Sequence, residues 1–167
     1  MKHETLFTKD FANKKLNVTR EFSAPVEKVW KAWTESELLD KWWAPKPWKT
    51  ETVSMDFSEG GHWLYYMAGA GGEKHYSKVN FETIIPGRQF TAANIFCDEH
   101  GEPVGNMSVG HWKNTFKATP TGSKVEVELS FDNEDSLKNM IAMGFEKGFT
   151  MGLGNLEELL EAEKVKI

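Results

Sequence analysis

Residues 18–45 read VTREFSAPVEKVWKAWTESELLDKWWAP, and the hydrophobic period changes inside them. Before the change, "KKLNVTREF" alternates, so Leu16, Val18, Arg20 and Phe22 share one face of a strand. After it, Val26, Val29, Trp30 and Trp33 recur at helical spacing. Ser23 is placed to cap that helix, and Pro25 suits its first turn. A second short helix fits "ESELLDKWW", with Ser36 as cap and Leu38, Leu39, Trp42 and Trp43 as apolar side; Pro45 and Pro47 stop it. Trp48 follows and opens the next strand. Four of the chain's seven tryptophans lie in this stretch. They are expected to form a wall joining the helical pair to the open end of a sheet, because indoles bury much area while their N–H still reaches a polar partner.

Downstream the period is two. "KTETVSMDF", "HWLYYMA", "KHYSKVNFETII", "RQFTAANIFC", "MSVGHWKNTFKAT" and "SKVEVELSF" read as strands, separated by "SEGG", "GAGG", "PG", the loop "DEHGEPVG" and "PTG". The last is the clearest, with Val125, Val127, Leu129 and Phe131 facing in and Lys124, Glu126 and Glu128 facing out. Tight turns between strands imply an antiparallel meander. The tail then turns helical: no proline falls between Asp132 and Glu163, and Leu137, Ile141, Phe145, Phe149, Leu156 and Leu160 keep near-helical spacing. Asn133 or Asp132 is the cap. The predicted fold is α+β: six or seven curved antiparallel strands around one long C-terminal helix, with two short helices between strands 1 and 2. It forms a single domain with its core at 15–163 and a flexible arm at 1–14.

A curved sheet and a straight rod leave a wedge between them, which side chains fill or a ligand occupies. Gly144, Gly148, Gly152 and Gly154 lie in the tail helix, each costing ~1 kcal/mol of propensity against alanine. The first three, spaced by four, make a bare stripe. It serves either close packing or a kinked helix with room for a ligand.

Composition narrows the function classes. The 167 residues carry 20 basic and 25 acidic side chains, which leaves no electrostatic footprint for nucleic acid. No apolar run is long enough to cross a bilayer, and "MKHETLFTKD" lacks a secretion signal's apolar middle. A single cysteine, Cys97, excludes an internal disulfide. A cytoplasmic location is expected.

The opening stretch resembles the signature of the family similar to the activator of heat-shock-protein-90 ATPase, in the START-like or Bet v 1-like (SRPBCC) superfamily. Thr19, Arg20, Phe22, Ala24, Pro25, Val29, Trp30, Ala32, Trp33, Thr34, Leu39, Trp42, Trp43 and Pro45 carry it. "MDFSEGGHWLYYM" resembles the family's aspartate and double-glycine turn through Asp56, Gly60, Gly61, Trp63 and Met67. "ETIIPGRQF" resembles its proline-arginine hairpin through Pro86 and Arg88, and "GFEKGFTMGLGNLEELL" its closing helix through Gly148, Leu153, Leu156 and Leu160. The resemblance implies a helix-grip fold, often with a hydrophobic cavity. Related branches bind lipids, hormones or polyketides, and a few are cyclases or hydrolases. Eukaryotic co-chaperones of the family carry a separate N-terminal domain that supplies much of the chaperone stimulation. These 167 residues hold no such domain, so a chaperone partner is not the leading expectation.

The strand faces give the candidate lining. Trp63, Tyr65 and Met67 share one face, as do Asn94 and Phe96, and Trp112 and Asn114. Tyr76 is read inward from "HYSKVNF", Trp43 sits at a helix end, and Phe145, Phe149 and Met151 come from the tail. Asn94 and Asn114 on otherwise apolar faces either bind a ligand or satisfy a local backbone irregularity. Met151 either adapts to a ligand or fills a core gap. Arg20 among apolar neighbours requires an acidic partner, read as a structural ion pair and alternatively as a carboxylate anchor for a ligand.

No catalytic residue, metal ligand or cofactor is expected. The histidines lack zinc spacing, although His62 and His75 fall at similar distances from the turn between their strands. Cys97 and His100 lack the orienting third group of a nucleophile. "GAGG" is a hairpin turn, not a phosphate loop.

The leading expectation is a binding module for a small hydrophobic or amphipathic molecule. A co-chaperone-type interaction module, with an exposed aromatic patch near Trp42, Trp43 and Trp48, is the alternative. A cyclase- or hydrolase-like enzyme comes third and needs an inward ionisable group with a shifted pKa. Monomer and homodimer both remain open.

Overall fold

The computed structural model describes residues 4–104 and 109–165. Its strands are β1 (Leu6–Asp10), β2 (Lys15–Phe22), β3 (Lys49–Met55), β4 (His62–Ala68), β5 (Lys74–Ile85), β6 (Gln89–Cys97), β7 (Gly110–Thr119) and β8 (Gly122–Ser130). They form one antiparallel sheet in the order β1-β2-β8-β7-β6-β5-β4-β3. Helices α1 (Val26–Thr34) and α2 (Ser36–Trp42) join β2 to β3, and α3 (Glu134–Ala142) and α4 (Phe145–Val165) close the chain.

The strand count is eight rather than six or seven. The extra strand comes from residues expected in a loose arm: Leu6–Asp10 pairs with Lys15–Thr19 through a tight reversal at Lys14, where φ is +59°. Its mixed, half-exposed side chains gave no alternation to read. The first two residues of the predicted "MSVGHWKNTFKAT" strand, Met107 and Ser108, lie outside the described residues, as does Gly105 of the loop before it.

β2 shows how the core is set. Leu16, Val18, Arg20 and Phe22 are all buried, and the intervening residues are not. Their partners on β8 are Leu129, Val127, Val125 and Ser123, which alternate in the same phase. Irregularities in register at Thr52/Ser54 on β3 and Phe81/Thr83 on β5 bend that end of the sheet. The concave face packs on α1, α2 and α4 through one apolar cluster that includes Trp33, Trp42, Phe116 and Leu156.

The tail is not one rod. Asn133 caps α3, its side chain accepting from the Ser136 N–H at 2.8 Å. Gly144, at φ +87°, then separates α3 from α4, a backbone turn that glycine makes at little cost. Gly152 plays the other role anticipated for the stripe. A Cβ there would stand 3.1 Å from the Trp43 carbonyl oxygen and 3.5 Å from that of Trp42, so its bareness lets α4 pass against the end of α2. The helix starts differ from expectation: Pro25 and Glu35, not Ser23 and Ser36, take the cap positions of α1 and α2, without side-chain cap bonds.

Candidate functional site

The buried guanidinium finds its acid. Arg20 Nη2 lies 3.3 Å from Glu157 Oε1 on α4, with side chains only 5% and 8% exposed. Arg20 Nη1 also donates to Thr5 Oγ1 at 2.7 Å. The pair ties α4 to β2 and does not border the cavity described below, so the structural reading fits the geometry and the ligand-anchor reading does not.

The tryptophan wall is built around Trp43. Its ring centroid lies 5.3–6.0 Å from those of Trp33, Trp42, Trp63, Trp112 and Phe149. Three of the indoles keep polar partners while burying their rings, whereas the buried Trp33 Nε1 has none. Trp42 Nε1 donates to the Ala32 carbonyl at 2.9 Å, Trp43 Nε1 to the Tyr65 hydroxyl at 3.0 Å, and Trp63 Nε1 to Thr52 Oγ1 at 3.0 Å. Asn155 on α4 fixes the segment after α2 by donating to the Ala44 carbonyl at 3.0 Å and the Trp42 carbonyl at 3.4 Å. Sequence reading passed over Asn155, though a lone amide inside an apolar helical stretch was the available signal.

Between this wall and the helix break lies a cavity of about 360 Å³. β4 contributes Tyr65 and Met67, β5 His75 and Ser77, β6 Asn94 and Phe96, and β7 Gly110 and Trp112. Trp43 and Pro45 form the wall side. Met140, Met143, Gly144, Phe145, Gly148 and Phe149 form the helical side. The break at Gly144 creates that side: it turns Met140 and Met143 of the α3 end and Phe145 of α4 toward one space, and Gly148 leaves the next helical turn without bulk. Phe145 and Phe149 stack at 5.2 Å, and both meet Trp112 in T-shaped contacts.

A smaller inner chamber, about 20 Å³, lies behind this cavity and shares Trp43, Asn94 and Trp112 with it. Trp63 and Asn114 border the chamber rather than the cavity. Asn114 is 2% exposed, and its Oδ1 has no hydrogen-bond partner; nor has the buried Oδ1 of Asn94. Neither amide serves the local backbone role allowed for it by that oxygen.

Two expected lining residues lie elsewhere. Tyr76 stands on the opposite face of β5, packs on Tyr66 at 5.1 Å, and borders not the cavity but an adjoining concavity of about 400 Å³, which includes Lys74, Asp98 and Glu99 and shares His75 and Phe96 with the cavity. The phase of β5 is set by buried Val79 and Phe81, which puts Ser77 and His75 inward and Tyr76 outward. Met151 is 39% exposed because α4 turns Phe149, Leu153 and Leu156 inward and leaves the intervening position to solvent. Pro45, His75, Ser77, Ile95, Gly110, Met140 and Met143 are lining residues that sequence reading missed.

The chemistry of the cavity is mild. Burial pushes the Tyr65 phenol up, which keeps it neutral, and the Trp43 hydrogen bond offsets only part of this. No lysine or arginine lines the cavity among the described residues. His62 pairs across the ladder with Asn80 and His75 with Met67, so the two histidines are not brought together; His62 Nε2 instead meets Ser54 Oγ at 2.8 Å. No group of three or more His, Cys, Asp or Glu suited to a metal occurs among the described residues. Cys97 is buried, its thiol pushed up by burial, and His100 Nε2 lies 3.5 Å from Glu99 instead. The aromatic patch of the co-chaperone alternative is absent among the described residues: Trp42 is buried, Trp43 faces the cavity, and Trp48 is half-buried with its ring 5.3 Å from His75. No described helix is long and apolar enough to cross a membrane.

Residues 23–161 match the model of the family described as Activator of Hsp90 ATPase homolog 1-like protein. No curated protein matches the chain in sequence. Among solved structures, a protein from Arthrobacter aurescens is 27% identical with a TM-score of 0.88, over 94% of this chain and 91% of that one. A Mycobacterium smegmatis protein is 24% identical with a TM-score of 0.87, over 94% and 97%. An AHSA1 protein from Silicibacter pomeroyi is 20% identical with a TM-score of 0.70, over 89% and 99%. The latter two likenesses speak to fold alone.

Proposed function

Since the chain belongs to the Activator of Hsp90 ATPase homolog 1-like family, we propose that it binds one small hydrophobic or amphipathic molecule between its sheet and its broken C-terminal helix. The observation that carries this reading is the cavity of about 360 Å³ lined by aromatic rings and methionines. That volume falls in the range of small-molecule sites, and the lining has the usual character: mostly apolar walls with a few polar groups. Methionine suits a site that must fit an irregular guest, because its unbranched side chain repacks at little cost. Met67, Met140 and Met143 stand together around this one space.

The protein-interaction reading requires a filled interior and an outward aromatic patch, and both requirements run against the arrangement of Trp42, Trp43 and Phe149. The test is native mass spectrometry of freshly purified protein, followed by organic extraction. A bound mass of a few hundred daltons that leaves on extraction supports the reading. No co-purifying mass, together with no binding of apolar probes to extracted protein, overturns it.

A further inference from the structure

The sheet wall of the cavity carries two hydroxyls side by side. Tyr65 on β4 and Ser77 on β5 are register partners, and both line the space. The Ser77 hydroxyl stands close enough to the phenol to act on its ionisation. Trp43 Nε1 donates to the Tyr65 hydroxyl oxygen at 3.0 Å. That bond occupies a lone pair of the phenol and leaves its own proton to be given away. Burial holds the phenol neutral, so the proton is present. Ser77 brings a second one. At most one of the two is taken up by the other hydroxyl. Whichever of them donates, one O–H is left over, and the contacts of the pair among the described residues offer it no acceptor. His75, the neighbouring residue on that face of β5, turns its ring to Trp48 at 5.3 Å. The group of Trp43, Tyr65 and Ser77 therefore presents a donor to the cavity.

Resting on the reading that the cavity takes a small apolar molecule, we propose that this hydroxyl pair is the subsite for a neutral carbonyl oxygen on that molecule. The ligand is then an apolar body bearing a ketone, aldehyde or ester. Its oxygen lies against β4 and β5, and its body lies across the cavity among Met140, Met143, Phe145 and Phe149. Tyr65 is 4% exposed and Ser77 is half-buried, so the serine is the outer hydroxyl of the two. The phenol is the more acidic and the better donor, so it gives its proton to Ser77, and the Ser77 proton goes to the carbonyl. A wholly hydrocarbon guest would cover the remaining O–H without pairing it, at a cost in free energy that a carbonyl avoids. A carboxylate also accepts, but it would bring an unpaired charge into a space that no lysine or arginine lines among the described residues.

Matched probes test this on the extracted full chain by equilibrium dialysis at neutral pH. The probes are 2-acetylnaphthalene, 2-isopropylnaphthalene and 2-naphthoate. The first two have similar shapes, and only the first has an acceptor. The readout is the ratio of their affinities in the parent and in the double variant Tyr65→Phe with Ser77→Ala. The preference for 2-acetylnaphthalene should fall about tenfold in the double variant, the worth of roughly one net hydrogen bond. Retained binding of 2-isopropylnaphthalene reports that the variant keeps its cavity. In the parent, 2-naphthoate should bind more weakly than 2-acetylnaphthalene. A second measurement needs no variant. The carbonyl resonance of carbon-13-labelled 2-acetylnaphthalene bound to the parent should lie downfield of its position in hydrocarbon solvent, because a hydrogen bond deshields that carbon. An unchanged ratio, or a carbonyl resonance at the hydrocarbon position, would overturn the proposal and leave the cavity reading intact. Tighter binding of 2-naphthoate than of 2-acetylnaphthalene would overturn it too. Failure of all three probes to bind the parent would instead remove the cavity reading on which it rests.

Discussion

The pair Arg20–Glu157 offers a sharp test of how the terminal helix is held. Both side chains are almost wholly buried, 3.3 Å apart, and Thr5 Oγ1 takes a second guanidinium hydrogen bond. Arg20 Nε has no partner. Glu157→Leu leaves the guanidinium buried without its counter-charge, and breaking one side of a buried pair costs about 3–5 kcal/mol. For a chain of this length each kcal/mol moves the midpoint by roughly 2–4 °C, so the thermal midpoint should fall by about 6–20 °C. Replacing both partners, Arg20→Met with Glu157→Leu, removes two desolvated charges and the orphaned Nε together. The double variant should regain most of the loss, because an apolar pair of similar volume is often as good as a buried ion pair. Differential scanning calorimetry of the parent, both single variants and the double completes the cycle. A double variant that falls by the sum of the singles would refute the reasoning, as would a Glu157→Leu midpoint within error of the parent.

The glycines of the tail should separate by sign: Gly154→Ala, whose new Cβ meets nothing within 4 Å, should gain up to about 1 kcal/mol, whereas Gly144→Ala, at φ +87°, should lose about 1–2 kcal/mol, both read by urea unfolding. Phe149→Ala removes a ring packed against Trp33, Trp43 and Trp112, and should cost about 3–5 kcal/mol in the same assay. Tyr65 predicts an alkaline limit. Its folded pKa is raised, so the native state holds a proton that the unfolded state releases, and stability is complete below the ordinary tyrosine range and declines as pH rises through it. Tyr65→Phe should flatten that decline in a plot of unfolding free energy against pH; an unchanged slope would count against the buried neutral phenol.

Much of the architecture was legible because its periods are clean. The inward face of β2, the alternation of β8 and the two short helices followed from spacing alone, and Arg20 announced a buried partner by standing among apolar neighbours. What escaped depends on contacts distant in sequence. β1 is held by pairing rather than by pattern, since Leu6–Asp10 has no buried face of its own. The break at Gly144 looked the same in sequence as the close approach at Gly152, and only the neighbouring elements tell them apart. Tyr76 was misplaced by one residue of phase, although Val79 and Phe81 carried the right phase downstream on the same strand. Asn94 and Asn114 were visible as polar residues on apolar faces, but that both border one small chamber with Trp33 requires three elements to be assembled.

The account rests on an apolar guest entering beside the helix break, and nuclear magnetic resonance titration of the extracted protein with naphthalene tests that most directly. The indole N–H signals of Trp43 and Trp112 and the methyl signals of Met67, Met140 and Met143 should shift together in a saturable way, while Val53 and Met151, exposed away from the cavity, stay still. Shifts confined to the exposed residues, or no saturable shift at any of the five, would contradict it.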